Sequence, residues 1–326
     1  MQITRPRLFE LLSETSRSFS IGIQLLHEPL KTQLCLGYLL CRILDTYEDS
    51  FSVSPDLRIK ALDLCAELLV ELGNEDPASW QQKINNWKIQ RDQSYSAYSE
   101  IKKWEQTLLL EAEGIFTEIY SLPFSVRKVF SESLQDMAIG MKKEVQSQQA
   151  GAQPQPRTLQ ELDSYCYSVA GTVGLLIHGL TNGASELKKT AVEFGKALQL
   201  VNIAKDFHND WSEGRCFWPG LAYTPKQNPQ LPEFTTLENG FAEIKELFAT
   251  YVKSADLYIK EFALKQKDFY FFCVFPLEMA KKTFDKGCSD LSWLKNQGTF
   301  KLSRFETIAL MANLGISIPK NLIANS

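Results

Sequence analysis

From Leu30 to Leu44 the chain reads LKTQLCLGYLLCRIL, an apolar run of about four helical turns with no polar face, and it leads directly into Asp45-Thr46-Tyr47-Glu48-Asp49. A helix that is apolar on every side is stable only when other elements surround it, so this segment belongs at the centre of a larger fold. Pro29 stands where a first helical turn tolerates proline. The acidic end is costly. Asp45 and Asp49 are four residues apart and share a face with Glu48 beside them, so like charges repel. They also gather at the negative end of the helix dipole. Such an end is either solvated or held against a cation.

The rest of the chain supplies helices to surround that core. Ser54-Pro55 reads as an N-cap and first helical position, followed by apolar residues to Gly73. Further helical patterns cover 99–120, 125–147, 158–181, 186–212, 237–264, 269–284 and 301–314, with Thr158 to Glu161 forming a capping box. QSQQAGAQPQP (147–157) and the proline-rich 220–234 read as loops. No strand alternation and no internal repeat is present. The expected class is all-α. Length alone, 326 residues, allows about two domains. Both loops are short and embedded between apolar helices, so one domain over 1–326 is expected.

Composition removes several function classes. With 35 basic and 39 acidic residues and no basic block, there is no electrostatic footprint for nucleic acid. The 7 cysteines form no C-x-x-C pair and lie mostly in apolar stretches, so they read as small buried hydrophobes in a reducing compartment. None of the 3 histidines has zinc-ligand spacing to a cysteine. The N-terminus lacks the apolar core of a secretory signal, and no run reaches the roughly 20 apolar residues that span a bilayer. A cytoplasmic protein is expected, at most peripheral to the inner face of the membrane.

A second polar stripe changes the reading of the first. Asn202, Asp206 and Asp210 follow one another at four-residue spacing on a helix that begins FGKALQLV. Two acidic patches on otherwise apolar helices suit hard divalent cations, which commonly bridge a few carboxylates to substrate phosphates. Phosphate oxygens turned away from metal need basic partners, and Arg17, Arg42, Lys205 and Arg215 flank the two patches. The pattern points to a diphosphate site.

At this point the residues resemble the squalene and phytoene synthase family, the head-to-head (1'-1) condensing prenyltransferases. The matching pieces are Thr15-Ser16-Arg17-Ser18-Phe19-Ser20, Tyr38 with Arg42 before Asp45-Thr46-Tyr47-Glu48-Asp49, and Met137-Ala138-Ile139-Gly140-Met141. Then come Tyr165-Cys166-Tyr167-Ser168-Val169-Ala170-Gly171-Thr172-Val173-Gly174, Gln199 through Asn202 to Asp206 and Asp210, and Gly214-Arg215-Cys216-Phe217-Trp218-Pro219. They stand in family order over about two thirds of the chain.

The resemblance implies a single isoprenoid-synthase bundle of helices around a deep apolar cavity. It implies that Asp45, Glu48 and Asp49, with Asp206 and Asp210 opposite and Asn202 assisting, hold Mg²⁺, with Mn²⁺ the alternative ion. Ser16, Arg17, Arg42, Lys205 and Arg215 would hold diphosphate. Tyr38, Phe19 and Tyr165 would line the first reaction centre, and Gln199 would face the cavity. The implied substrate is farnesyl diphosphate or a longer prenyl diphosphate, two of which condense to a cyclopropyl-carbinyl diphosphate. A second ionisation then ends in hydride quenching by NADPH, giving squalene, or in proton loss, giving dehydrosqualene or phytoene.

Phe217-Trp218-Pro219 looks like the squalene branch, where phytoene synthases usually show Tyr-Leu-Pro. Phe300-Lys301-Leu302-Ser303-Arg304 is similar to the squalene synthase tail, whose basic pair, here Lys301 and Arg304, would meet NADPH phosphate. Two departures stand against this. Tyr167-Ser168 occupies the place of a common His-Tyr, and Leu277 that of a frequent Gln. The alternatives are therefore a synthase of presqualene diphosphate, dehydrosqualene or phytoene, and a non-catalytic scaffold that kept the bundle. A scaffold has no reason to retain self-repelling carboxylates, and all five acidic positions are intact.

Overall fold

The computed structural model describes residues 3–16, 18–149, 158–221, 231–263, 266–296 and 298–316. Fourteen α-helices are described: α1 (Arg5–Thr15), α2 (Ser18–Gln24), α3 (Leu30–Asp49), α4 (Pro55–Leu72), α5 (Pro77–Ser94), α6 (Lys103–Tyr120), α7 (Phe124–Gln149), α8 (Leu159–Cys166), α9 (Thr172–Leu180), α10 (Lys188–Lys205), α11 (Phe207–Ser212), α12 (Phe234–Phe262), α13 (Lys267–Ser289) and α14 (Arg304–Asn313). No strand occurs among the described residues. The all-α expectation holds.

The chain packs as two compact units, one of Met1–Ala152 with Thr172–Ser185 and the other of Gln153–Gly171 with Glu186–Ser326. In the first unit α3 touches α1, α4, α6, α7 and α9. That position explains its composition: Leu36, Leu39, Leu40, Ile43 and Leu44 all have no exposure, because every side of the helix meets a neighbour. In the second unit α10 holds the corresponding place, against α8, α12 and α13. α12 shows why it can lie along α10. Leu237, Phe241, Ile244, Phe248, Tyr251, Ala255, Tyr258 and Phe262 recur at alternating four- and three-residue steps and are all buried. Beside them Phe207, Trp218, Phe241, Phe284, Trp293 and Phe300 form an aromatic core, with Phe248 stacked on Phe284 at 4.2 Å and Trp293 tilted against Phe300 at 4.6 Å.

Local signals set most of the helix ends. α4 starts at Pro55 and ends before Gly73, and Thr158 and Glu161 cap α8 reciprocally. Ser303 and Glu306 do the same for α14, so this helix begins at Arg304 rather than at 301. Two further expectations need correction, and one helix lies where none was expected. Residues 158–181 are not one helix: a wider π-type turn over Tyr167–Gly171 separates α8 from α9. Residues 186–212 break at Asp206, whose φ and ψ of −95° and 5° leave the helix. α5 went unpredicted because its segment is polar overall, yet Trp80, Ile84 and Trp87, at steps of four and three, bury one face. Six of the seven cysteines are buried and the seventh, Cys288, is half-buried. The loop expected at 147–157 lies outside the described residues from Ala150 on, as does 222–230 of the second loop.

Candidate functional site

In the first unit the site is built on the last turns of α3. Arg42 is one turn before Asp45, and its Nη1 lies 2.7 Å from Asp45 Oδ2. The guanidinium also stands 5.1 Å from the Trp104 ring, and its Nε is buried with no hydrogen-bond partner. Burial pushes the Asp45 carboxyl up to about 6, with Arg42 opposing the shift and Asp49 adding to it. Glu48 is buried and Asp49 exposed. The junction of α1 and α2 contributes the aromatic side. The Ser16 hydroxyl accepts from Phe19 N at 3.1 Å, Phe19 lies 5.7 Å from the Tyr38 ring, and Tyr38 donates to Thr15 O at 3.2 Å. Burial raises the Tyr38 phenol above its ordinary value, with Ser16 and Arg42 opposing. Ser16, Phe19, Tyr38, Arg42 and Asp45 thus form one connected group. Arg17 lies outside the described residues.

The acidic end of α3 is held by a cation that sequence spacing did not reveal. Arg58 of α4 is 2% exposed and donates to the carbonyls of Tyr47 (3.3 Å) and Glu48. α3 has no basic residue in its own last turn, so Arg58 supplies the positive charge that its C-terminal dipole and carboxylates require. No motif marks Arg58, since only packing of α4 brings it there.

In the second unit the acids sit where α10 gives way to α11. Lys205 Nζ pairs with Asp206 Oδ2, and Arg215 Nη2 lies 2.8 Å from Asp210 Oδ1 and 2.7 Å from Glu213 Oε2. Gly214, at φ 83°, makes the turn that returns Arg215 to Asp210, where Arg215 N donates to Asp210 O at 2.7 Å. Tyr165 stacks on Phe217 at 4.7 Å, and the Arg215 guanidinium is 5.9 Å from the same ring. Asn202 is exposed and Gln199 half-buried. Lys301 is exposed and Arg304 half-buried. Their segment is tied to the acidic turn, because Thr299 Oγ1 donates to Lys205 O at 2.7 Å and His208 Nε2 meets Trp293 O at 2.7 Å. Also missed was a partly buried cluster in which Lys196 Nζ lies 2.8 Å from Asp163 Oδ1 and Tyr251 donates to the same oxygen. Lys196, a lone charge in the run FGKALQLV, was the available signal.

The donors suit a hard divalent cation: carboxylates and one amide oxygen, with no thiolate. Among the described residues, no three Asp, Glu, His or Cys side chains gather closely enough to hold an ion by themselves. An ion held here would take further ligands from phosphate and water, as Mg²⁺ commonly does. The buried, unpartnered Arg42 Nε fits the anion such an ion accompanies.

Comparison with known proteins bears on both units. The family model described as squalene/phytoene synthase matches residues 12–287. The squalene synthase of Cyberlindnera jadinii is 29% identical over 293 residues, covering 86% of this chain and 60% of its own. That of Saccharomyces cerevisiae is 30% identical over 248 residues, covering 73% of this chain and 51% of its own. The chain thus spans about half to three fifths of the length of these relatives. Among solved structures, TcSQS in complex with BPH1237 superposes with a TM-score of 0.69 at 22% identity, covering 95% of this chain and 85% of that one, a likeness of fold.

Proposed function

The chain belongs to the squalene/phytoene synthase family, and from that premise we propose that it joins two farnesyl diphosphates head to head, through presqualene diphosphate, to squalene. The observation that supports this most is the pairing of cation with carboxylate in both units, Arg42 with Asp45 and Arg215 with Asp210. Each pair sits beside aromatic rings, Tyr38 and Phe19 in one case, Tyr165 and Phe217 in the other. Diphosphate departure needs positive charge at the leaving oxygens, and the allylic cation left behind needs aromatic faces and no water.

Asp45, Glu48, Asp49, Asn202, Asp206 and Asp210 would hold Mg²⁺, which would withdraw electron density from the leaving diphosphate. Arg42, Lys205 and Arg215, with Ser16 and Arg17, would grip the phosphate oxygens; the two arginines do so as planar forks. Releasing Asp45 to metal would free Arg42 for phosphate. Tyr38, Phe19 and Tyr165 would face the cation, and Gln199 the prenyl chain. Lys301 and Arg304 would receive the phosphate of NADPH, which would supply the hydride. The two units would act as one catalytic domain, since the chain passes between them at 152, 171 and 185. No described helix is long and apolar enough to cross a membrane. We place the enzyme in the cytoplasm, releasing its product to a membrane it touches peripherally.

The test is incubation with farnesyl diphosphate and Mg²⁺, with and without NADPH, followed by mass analysis. Squalene formed only with NADPH is the expected result, and Lys301→Ala with Arg304→Ala should then accumulate presqualene diphosphate. The second reading, favoured by Tyr167-Ser168, is a non-reductive synthase, and a product indifferent to NADPH would establish it. No condensation of C15 or C20 diphosphates would overturn both.

A further inference from the structure

Tyr47 lies in the acidic motif but, two residues on from Asp45, projects about 200° around α3 from it. It lines a half-open cavity of ≈ 350 Å³ within the first unit, bordered by α3, α4, α5 and the turn Tyr95–Tyr98. That volume is at the lower end of small-molecule pockets. Leu64, Trp87 and the Tyr47 ring give it an apolar wall, and no Asp or Glu lines it. Five groups along the lining have no protein hydrogen-bond partner among the described residues: the Tyr47 phenol, although Tyr47 is only 2% exposed, the half-buried Gln90 amide and, at exposed positions, the Lys60 ammonium, the Gln93 amide and the Ser96 hydroxyl. Arg91 also lines it, with its guanidinium engaged by Asp92 and the carbonyls of Leu109 and Leu110. Buried donors usually find acceptors, so the Tyr47 phenol, on a half-apolar cavity that carries the Lys60 cation at an exposed position and no acid, is placed for an acceptor that arrives from outside.

We propose that this cavity binds a small organic anion, a carboxylate or phosphate monoester on a compact apolar group, with the anion at Lys60, Gln90 and the Tyr47 phenol and the apolar part against Leu64 and Trp87. The site is independent of the condensation reading, because none of these side chains belongs to the diphosphate or metal groups described above.

Calorimetric titration of the full chain in chelator, without divalent metal, tests it with phenyl phosphate, benzoate and inorganic phosphate as probes. One or both aromatic anions should bind at millimolar concentration or below, more tightly than inorganic phosphate. Lys60→Gln, a change at an exposed position, should weaken binding about tenfold or more, since one charge-assisted contact is lost. Ala61→Trp should block it by filling the cavity, with circular dichroism confirming the fold. Arg42→Lys should leave it unchanged. The proposal is overturned if no probe binds at millimolar concentration, if inorganic phosphate binds as well as the aromatic anions, or if Lys60→Gln binds like the parent. Loss of binding in Arg42→Lys would likewise overturn it, by assigning the anion to the motif at Asp45.

Discussion

Replacing Arg58 with alanine should destabilise the first unit and loosen its acidic motif together. The guanidinium is buried, donates to the carbonyls of Tyr47 and Glu48, and lies 4.8 Å from the Phe51 ring. A hydrogen bond involving a charged group contributes about 1.5–3 kcal/mol, so two give about 3–6. The ring contact adds about 0.5–1 kcal/mol. Truncation removes the cation together with its bonds, and water can reach the freed carbonyls, so the lower end, about 3–4 kcal/mol, is expected. Arg58→Lys keeps the charge but not the fork and should lose about half as much. Urea unfolding followed by circular dichroism measures the stability. Inhibition by inorganic diphosphate at varied Mg²⁺ reports the motif, and its midpoint should move to higher Mg²⁺ in the alanine variant and return toward the parent in the lysine one. A loss under about 1 kcal/mol with an unchanged Mg²⁺ midpoint would refute the argument that Arg58 holds the end of α3.

Three further outcomes follow from other contacts. Ser303 N donates to Glu306 Oε2 at 2.6 Å, the Ser303 hydroxyl also hydrogen-bonds the carboxylate, and Lys286 lies 3.0 Å away, together holding the Glu306 carboxyl down to about 2 from 4.5. A depressed acid stabilises above its unfolded value and loses that effect as pH falls through its folded one. The parent's greater amide protection in α14 over Glu306→Gln should therefore be full at neutral pH and shrink between 4.5 and about 2; a pH-independent difference would be contrary evidence. A Cβ at Gly195 would lie 2.1 Å from Ala170 O, so Gly195→Ala must push α10 off the Tyr167–Gly171 turn, lowering stability by about 1–3 kcal/mol in urea unfolding; a variant as stable as the parent would show that the backbone gives way. Arg42→Lys should weaken inhibition by inorganic diphosphate, because a point charge replaces the fork that holds Asp45; an unchanged inhibition constant would place Arg42 outside the anion site.

The sequence by itself determined the all-α class, the burial of α3 and the identity of the two acidic motifs. These rest on local properties: helical periodicity, an apolar run longer than a strand, capping pairs such as Thr158 with Glu161, and carboxylates at four-residue spacing. It also carried Arg42 with Asp45 and Arg215 with Asp210, since three- and five-residue separations keep partners within reach whatever the fold. It did not carry α5, whose burial rests on three side chains in a polar segment, or the break at Asp206, where a helical pattern runs on through residues that leave the helix. Least legible were the contacts of long separation: Arg58 reaching the carbonyls of Tyr47 and Glu48, Asp163 meeting Lys196 and Tyr251, and Thr299 holding Lys205. A side chain's partner across tens of residues depends on which helices pack and at what rotation, and that is settled by the sum of many apolar contacts rather than by any motif. The tertiary structure alone decided where the cation at the end of α3 comes from, and that Tyr47, a residue inside an acidic motif, faces a cavity of its own.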